Sequence, residues 1–162
     1  VKVRWIDINK GDTNNPVYRS RLVGKEFNTG EVEGLFAGTP PLEALRLLIS
    51  EAATTSKGET RKVIMINDVS HAFFEAPMQR NLCIELPDEE LSEAEKTQNL
   101  VGHLNQSLYG TRDAAQNWEE EYSSWLKEIG FSRGLASPCV FFHPGRNVRV
   151  VIQGDDFTLL VM

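Results

Sequence analysis

Val148-Arg149-Val150-Val151-Ile152-Gln153-Gly154-Asp155-Asp156-Phe157-Thr158-Leu159-Leu160-Val161 is the stretch that decides the fold. Residues 148–152 and 157–161 are apolar runs of strand length, rich in Val, Ile and Leu. Between them, Gly154-Asp155-Asp156 predicts a tight turn, with Gly where the backbone needs a positive φ. Just upstream, residues 139–142 form another apolar run, and His143-Pro144-Gly145-Arg146-Asn147 supplies a second turn. Three consecutive strands follow, with adjacent carboxylates at the tip of the last hairpin.

Before this hairpin unit, Thr111 is the expected N-cap of a helix. Its apolar stripe is Ala114, Trp118, Tyr122, Trp125, Leu126 and Ile129, and Gly130 fits its C-terminal cap. The aromatic spacing favours core packing over base stacking. The continuous apolar run at 63–66 predicts a central strand buried on both faces and ending at Asp68. Further strands are expected at 82–86 and 100–104, flanking an acidic connector. Thr39 is read as the cap of another helix whose first turn takes Pro40 and Pro41. Leu42, Leu45, Leu48, Ile49 and Ala52 recur along that helix at helical spacing, and it ends near Thr55. Residues 1–8 and 17–27 read as a basic hairpin around the turn cluster 11–16.

A chain of 162 residues suits one domain with a real core. No apolar run approaches the roughly 18 residues of a membrane span, and there is no signal-peptide core, so an intracellular protein is expected. Cys83 and Cys139 form no CxxC pair and read as ordinary buried thiols. A start at Val1 and an end at Met162 inside a strand-like run suggest a piece of a longer polypeptide. The net charge of −6 argues against a nucleic-acid partner, but the charge is uneven. Lys2, Arg4, Lys10, Arg19, Arg21 and Lys25 make the first segment basic, whereas Glu85, Asp88, Glu89, Glu90, Glu93 and Glu95 concentrate the acidity in what reads as a solvated face. His71 and His103 have no partner at metal-ligand spacing.

Adjacent carboxylates at the end of apolar strands repel each other unless something compensates. Magnesium, a hard cation held by carboxylate oxygens and substrate phosphates, is the natural candidate. Two such ions about 3.5 to 4 Å apart stabilise both oxygens of an in-line phosphoryl displacement. Asp68 is the obvious third member of an Asp68, Asp155 and Asp156 cluster. Each of these positions taken singly is equally well a turn former.

The surroundings identify a family. Asp68-Val69-Ser70-His71-Ala72-Phe73-Phe74 with Pro77 resembles the first palm motif of reverse transcriptases. Ser107-Leu108-Tyr109-Gly110 with Ala114 and Trp118 resembles the Ser-Leu-Tyr-Gly-x-x-x-Ala-x-x-x-Trp motif of copia-type LTR retrotransposon polymerases. Arg21-Leu22-Val23-x-Lys25, Gly130-Phe131 and Ser137-Pro138-Cys139 match in family order. The resemblance implies an α+β fold, a fingers/palm fragment of a right-hand polymerase, truncated before the end of the palm and the thumb. Its palm sheet would be mostly antiparallel, with helices on one face.

The implied activity is RNA-directed DNA polymerisation by two-metal nucleotidyl transfer. Asp68 and Asp155 would bind two magnesium ions, with manganese as a substitute, and Asp156 would complete the cluster. Phe73 would crowd the sugar 2′ carbon. Arg19, Arg21 and Lys25 would reach the triphosphate or template, the backbone at Val69 would help hold the triphosphate, and Tyr109 and Gly110 would line the nucleotide pocket. The implied partners are an RNA or DNA template with primer, dNTPs, and the thumb, RNase H and integrase of the same polyprotein, in a cytoplasmic particle or the nucleus.

Two departures matter. Gln153-Gly154 replaces the usual Tyr-Val before the aspartates, and Asp113-Ala114-Ala115-Gln116 replaces Gln-Ala-Pro-Arg. The rivals are an inactive retroelement remnant that keeps the fold and, since Gly-Asp-Asp also marks them, a viral-type RNA-dependent RNA polymerase.

Overall fold

In the computed structural model, which describes residues 1–27, 30, 34–54 and 61–162, the elements follow the expected order. They are β1 (Val3–Asn9), β2 (Tyr18–Gly24), α1 (Leu42–Ala53), β3 (Val63–Asp68), α2 (Ala72–Glu75), β4 (Cys83–Glu85), a 3-10 turn (Asp88–Glu90) and α3 (Glu93–Lys96). Then come β5 (Val101–His103), α4 (Ala114–Glu128), β6 (Ser132–Arg133), β7 (Val140–His143), β8 (Val148–Gln153) and β9 (Asp156–Val161). They divide into two units, Val1–Leu35 with Phe73–Asn117 and Phe36–Ala72 with Trp118–Met162.

In the first unit, β1 and β2 form the expected antiparallel hairpin. Side-chain capping shapes its turn. The Asn9 side-chain Oδ1 accepts from the Gly11 and Val17 N–H groups at 3.0 and 2.9 Å, and the Asp12 carboxylate accepts from the Asn14 and Asn15 N–H groups. β4 pairs with β5, and the acidic connector between them is exposed apart from Leu86, Pro87, Leu91 and Glu95, which are half-buried. Glu95 and Ser92 form a capping box at the start of α3.

The second unit is built on one sheet of order β3-β9-β8-β7-β6, antiparallel throughout. Alternation along the strands sends successive side chains to opposite faces. Leu160 and Val151 pack with Leu48 of α1 on one face, joined by Ile64 and Val140. Phe157 and Phe141 meet Tyr122 of α4 on the other, at ring separations of 5.7 and 6.1 Å. Helices therefore cover both faces, not one as expected, because β8 and β9 are apolar on both sides.

Other expectations change with the tertiary structure. β3 is the edge strand beside β9, not a central one, and Met65 and Ile66 are 44% and 69% exposed. An apolar run alone does not distinguish an edge from a centre. Both prolines precede α1, whose cap position is Pro41 instead of Thr39, and its expected end at Thr55 lies outside the described residues. Leu42 and Ile49 of α1 stay exposed. Thr111 is not the cap of α4. Its hydroxyl donates to the Leu108 carbonyl at 2.8 Å, while the Asp113 carbonyl accepts the first helical bond, from the Asn117 N–H.

The other end of α4 is as read. Gly130 has φ +99°, its N–H donates to the Lys127 carbonyl, and the Phe131 N–H donates to the Leu126 carbonyl, the paired bonds of a Schellman stop. Trp118 and Tyr122 are buried as core residues, but Trp125 is 54% exposed. Cys139 is buried, which pushes its thiol pKa up, whereas Cys83 is exposed, contrary to expectation. Among the described residues no helix is long and apolar enough to cross a membrane.

Candidate active site

The second unit brings the three aspartates to one end of its sheet. Asp68, the last residue of β3, lies directly opposite Asp156, the first of β9. The Val69 N–H donates to the Asp155 carbonyl at 2.9 Å. A bond from the residue after Asp68 to the residue before Asp156 marks these two as a non-hydrogen-bonded pair, the closer kind, with Cα atoms about 4.5 Å apart and side chains on the same face. Gln153 opposes Asp156 on its other side, so Asp68, Asp156 and Gln153 form a row across three strands. Among the described residues no cation pairs with any of the three aspartates.

Asp155 sits in the two-residue turn between Gln153 and Asp156. Gly154 has φ +63° and Asp155 does not share the positive φ, the pattern of a type II′ turn. The turn backbone is pinned twice, by Val69 and by the Trp118 indole, which donates to the Gly154 carbonyl at 2.9 Å. The spacing of Trp118 signals a core position but not this hydrogen bond. A valine at 154, the residue usual in the resembling family, would sit in a backbone region that β-branched side chains avoid. Gly154→Val is expected to lower stability by about 1 to 2 kcal/mol, read by chemical denaturation. A variant as stable as the parent would mean that the hairpin takes another turn.

Beside the row lies a cleft of 180 Å³ with Pro40, Pro41, Leu42, Leu45 and Ile66 as apolar walls and Gln153, Asp156 and Thr158 as polar lining. The donor set fits a hard divalent cation, since it consists of carboxylate oxygens. Among the described residues no three carboxylate, imidazole or thiol groups converge closely enough to hold a metal by themselves. A magnesium ion there would draw the rest of its shell from water and substrate phosphates. The Val69 amide expected to meet a triphosphate is committed to the Asp155 carbonyl.

The first unit gathers other predicted residues. The Arg21 guanidinium lies 5.5 Å from the Tyr109 ring centre, and Phe73 stacks on that ring at 4.6 Å, tilted by 40°. The Arg21 Nε is buried and has no hydrogen-bond partner among the described residues. Gly110 has φ +84°, and a Cβ there would lie 2.1 Å from the Gly24 carbonyl oxygen, so only glycine fits. Gly24 in turn donates to the Tyr109 carbonyl at 2.6 Å. Arg19 lies two residues before Arg21 on the same face of β2 and is half-buried, whereas Lys25 follows the strand and is exposed.

Sequence reasoning missed a partly buried ion pair network in this unit. Arg80 donates to Asp113 through Nε at 2.9 Å and to Glu26 through Nη1 at 2.8 Å. The Glu26 carboxylate also accepts from the Arg112 N–H at 2.9 Å. The Arg80 hydrogen bond holds the Glu26 pKa below its ordinary value against partial burial. For Asp113, burial pushes the pKa up, but the Arg80 hydrogen bond, a backbone bond and the nearby charge together bring it down. The signal in the sequence was Asp113 itself, standing where the resembling motif has Gln.

Comparison with known proteins identifies the family. The family model described as reverse transcriptase (RNA-dependent DNA polymerase) matches residues 1–161. The chain is similar to a retrovirus-related Pol polyprotein from transposon TNT 1-94 of Nicotiana tabacum, 27% identical over 147 residues, which is 88% of this chain and 10% of that protein. It is also similar to a retrovirus-related Pol polyprotein from transposon RE1 of Arabidopsis thaliana, 24% identical over 99% of this chain and 11% of that protein. The chain thus spans about a tenth of the length of these curated relatives. No solved structure matches. With the ordered motifs and the family match over nearly its whole length, the chain belongs to the reverse transcriptase (RNA-dependent DNA polymerase) family.

Proposed function

We propose that this chain carries the chemical centre of a retrotransposon Pol polyprotein and extends a primer with dNTPs on an RNA or DNA template. The observation that carries this reading is the facing Asp68 and Asp156 pair beside the pinned Asp155 turn, an arrangement of like charges that folding alone would not favour. Asp68 and Asp155 would hold the divalent ions, and Asp156 would complete the negative site. Such ions, when bound, neutralise the charge on the reacting phosphates and align the oxygens. The rest is positioning. The primer 3′-hydroxyl gives up its proton to solvent and attacks the α-phosphate, a new bond forms between the 3′-oxygen and the α-phosphorus, and pyrophosphate leaves with the bridging oxygen as the bond from that oxygen to the α-phosphorus breaks.

Phe73 restricts the sugar, Arg21 offers its guanidinium to phosphate oxygens, and Tyr109 and Gly110 shape the pocket wall. Arg19 and Lys25 meet the template backbone or solvent. Gln153 leaves the carboxylates in place but removes the aromatic side chain usual beside the primer end.

The test is primer extension by the polyprotein polymerase, from this chain through its thumb, with magnesium and either dNTPs or rNTPs. Incorporation of dNTPs is expected. No incorporation of either would leave the inactive remnant as the answer, and a preference for rNTPs would sink the DNA polymerase assignment. In the same assay Phe73→Val is expected to raise ribonucleotide incorporation relative to deoxynucleotide by roughly ten- to a hundredfold. An unchanged ratio would assign Phe73 to packing against Tyr109 alone.

A further inference from the structure

We propose that the groove between the outer edge of β1 and residues 85–89 binds an extended basic peptide, which adds as a strand to β1. The groove has a volume of 440 Å³ and is lined by residues 3–5, Leu22 and residues 85–89. It opens because the chain leaves β4 as it enters β1. The Glu85 N–H donates to the Val1 carbonyl at 2.9 Å, and beyond that bond the two segments part.

Backbone, lining and charge all point to this occupant. Among the described residues β1 pairs only with β2, so its other edge presents N–H and C=O groups to the groove, and such an edge accepts an added strand. The apolar lining comprises Trp5, 44% exposed and directly opposite Leu22, together with Val3, Leu86 and Pro87. It offers apolar contact for alternate side chains, and an indole face suits a guanidinium or ammonium. The rim carries Glu85, Asp88 and Glu89, with Arg4 as its single cation.

Elsewhere in the acidic connector the charges have local uses. Glu93 pairs with Lys96 at 2.6 Å, and Glu95 caps Ser92. Glu85, Asp88 and Glu89 have no ion pair among the described residues. Their charge repels phosphate, so this side of the first unit selects a cationic polypeptide over nucleic acid.

The test uses the 162-residue chain and a fluorescein-labelled peptide, Arg-Val-Lys-Val-Arg-Val-Lys, followed by fluorescence anisotropy. Saturable binding is expected, weakening at least tenfold in the combined variant Glu85→Gln, Asp88→Asn, Glu89→Gln and also in Trp5→Ala. Glu93→Gln is expected to bind as the parent does. A peptide with proline in place of its central valine is expected to lose binding, because proline cannot complete the strand ladder. Circular dichroism confirms that the variants fold, and the three acids are exposed, so their neutralisation leaves the core untouched. No saturable binding, equal binding by the neutralised variant or by the proline peptide, or displacement of the peptide by a single-stranded oligonucleotide would each overturn the proposal.

Discussion

Asp68→Asn is expected to reduce primer extension by the polyprotein polymerase on the order of 10³-fold or more while leaving the fold as stable as the parent or slightly more so. The two halves of this expectation share one cause. Asp68 and Asp156 face each other as a close cross-strand pair with no cation beside them among the described residues. Like charges so placed destabilise a sheet by a few tenths of a kcal/mol to about 1 kcal/mol. Asparagine keeps the shape of aspartate, exchanges one acceptor oxygen for an NH2 donor and removes the repulsion, so melting should move up or stay put. It also removes one of the anionic oxygens that a divalent ion requires. Activity lost with stability kept is the mark of a group retained for chemistry. A variant that loses stability in parallel with activity would instead make Asp68 a structural residue, and unchanged activity would remove it from the site.

Arg80→Met is expected to cost about 1 to 3 kcal/mol at neutral pH, between the values for an exposed and a buried ion pair, because the arginine is half-exposed and its partners are not. The Asp113 and Glu26 side chains are only 7% and 15% exposed, and Arg80 is 40% exposed. Methionine fills the aliphatic space but leaves two carboxylates without their cation, one of them just before the first turn of α4. The pH dependence follows from the direction of the shifts. Both carboxyls have pKa values below their ordinary ones in the folded chain, so their contribution is complete above roughly pH 4 to 5 and is lost as the pH falls through the folded values. The parent therefore loses more stability in acid than the variant does. The gap between them should be widest at pH 7 and narrow below about pH 4. Urea denaturation across that range measures it. A gap that stays constant with pH would show that Arg80 acts through packing alone.

What the sequence carried on its own was the local order. The turn cluster at 11–16, the Gly130 stop of α4 and the Gly154 turn are written in residues that interact with near neighbours, and all of them stand in the structure. The ordered motifs likewise named the family before any coordinate did, because those residue types recur at fixed spacing for a chemistry that tolerates few substitutes.

Where a segment sits among its neighbours was not legible. Residues 63–66 read as central from their hydrophobicity, yet β3 is an edge, because apolarity reports burial somewhere and not on which side a strand finds its partner. The second helix layer followed from the same source. Strands apolar on both faces need two covers, and only folding shows which helices supply them. The Arg80 network joins positions 54 and 33 residues apart, and no short-range pattern encodes a bond of that span.

The carboxylates divide in the same way. Asp155 and Asp156 were visible as neighbours at a hairpin tip, and Asp68 as an acid ending an apolar run. That Asp68 faces Asp156, that Asp155 is held by the amide of Val69, and that Gln153 closes the row were settled by strand register. Register is fixed by the packing of two strands against α1 and α4, and a slip of one residue would turn every one of these side chains to the opposite face.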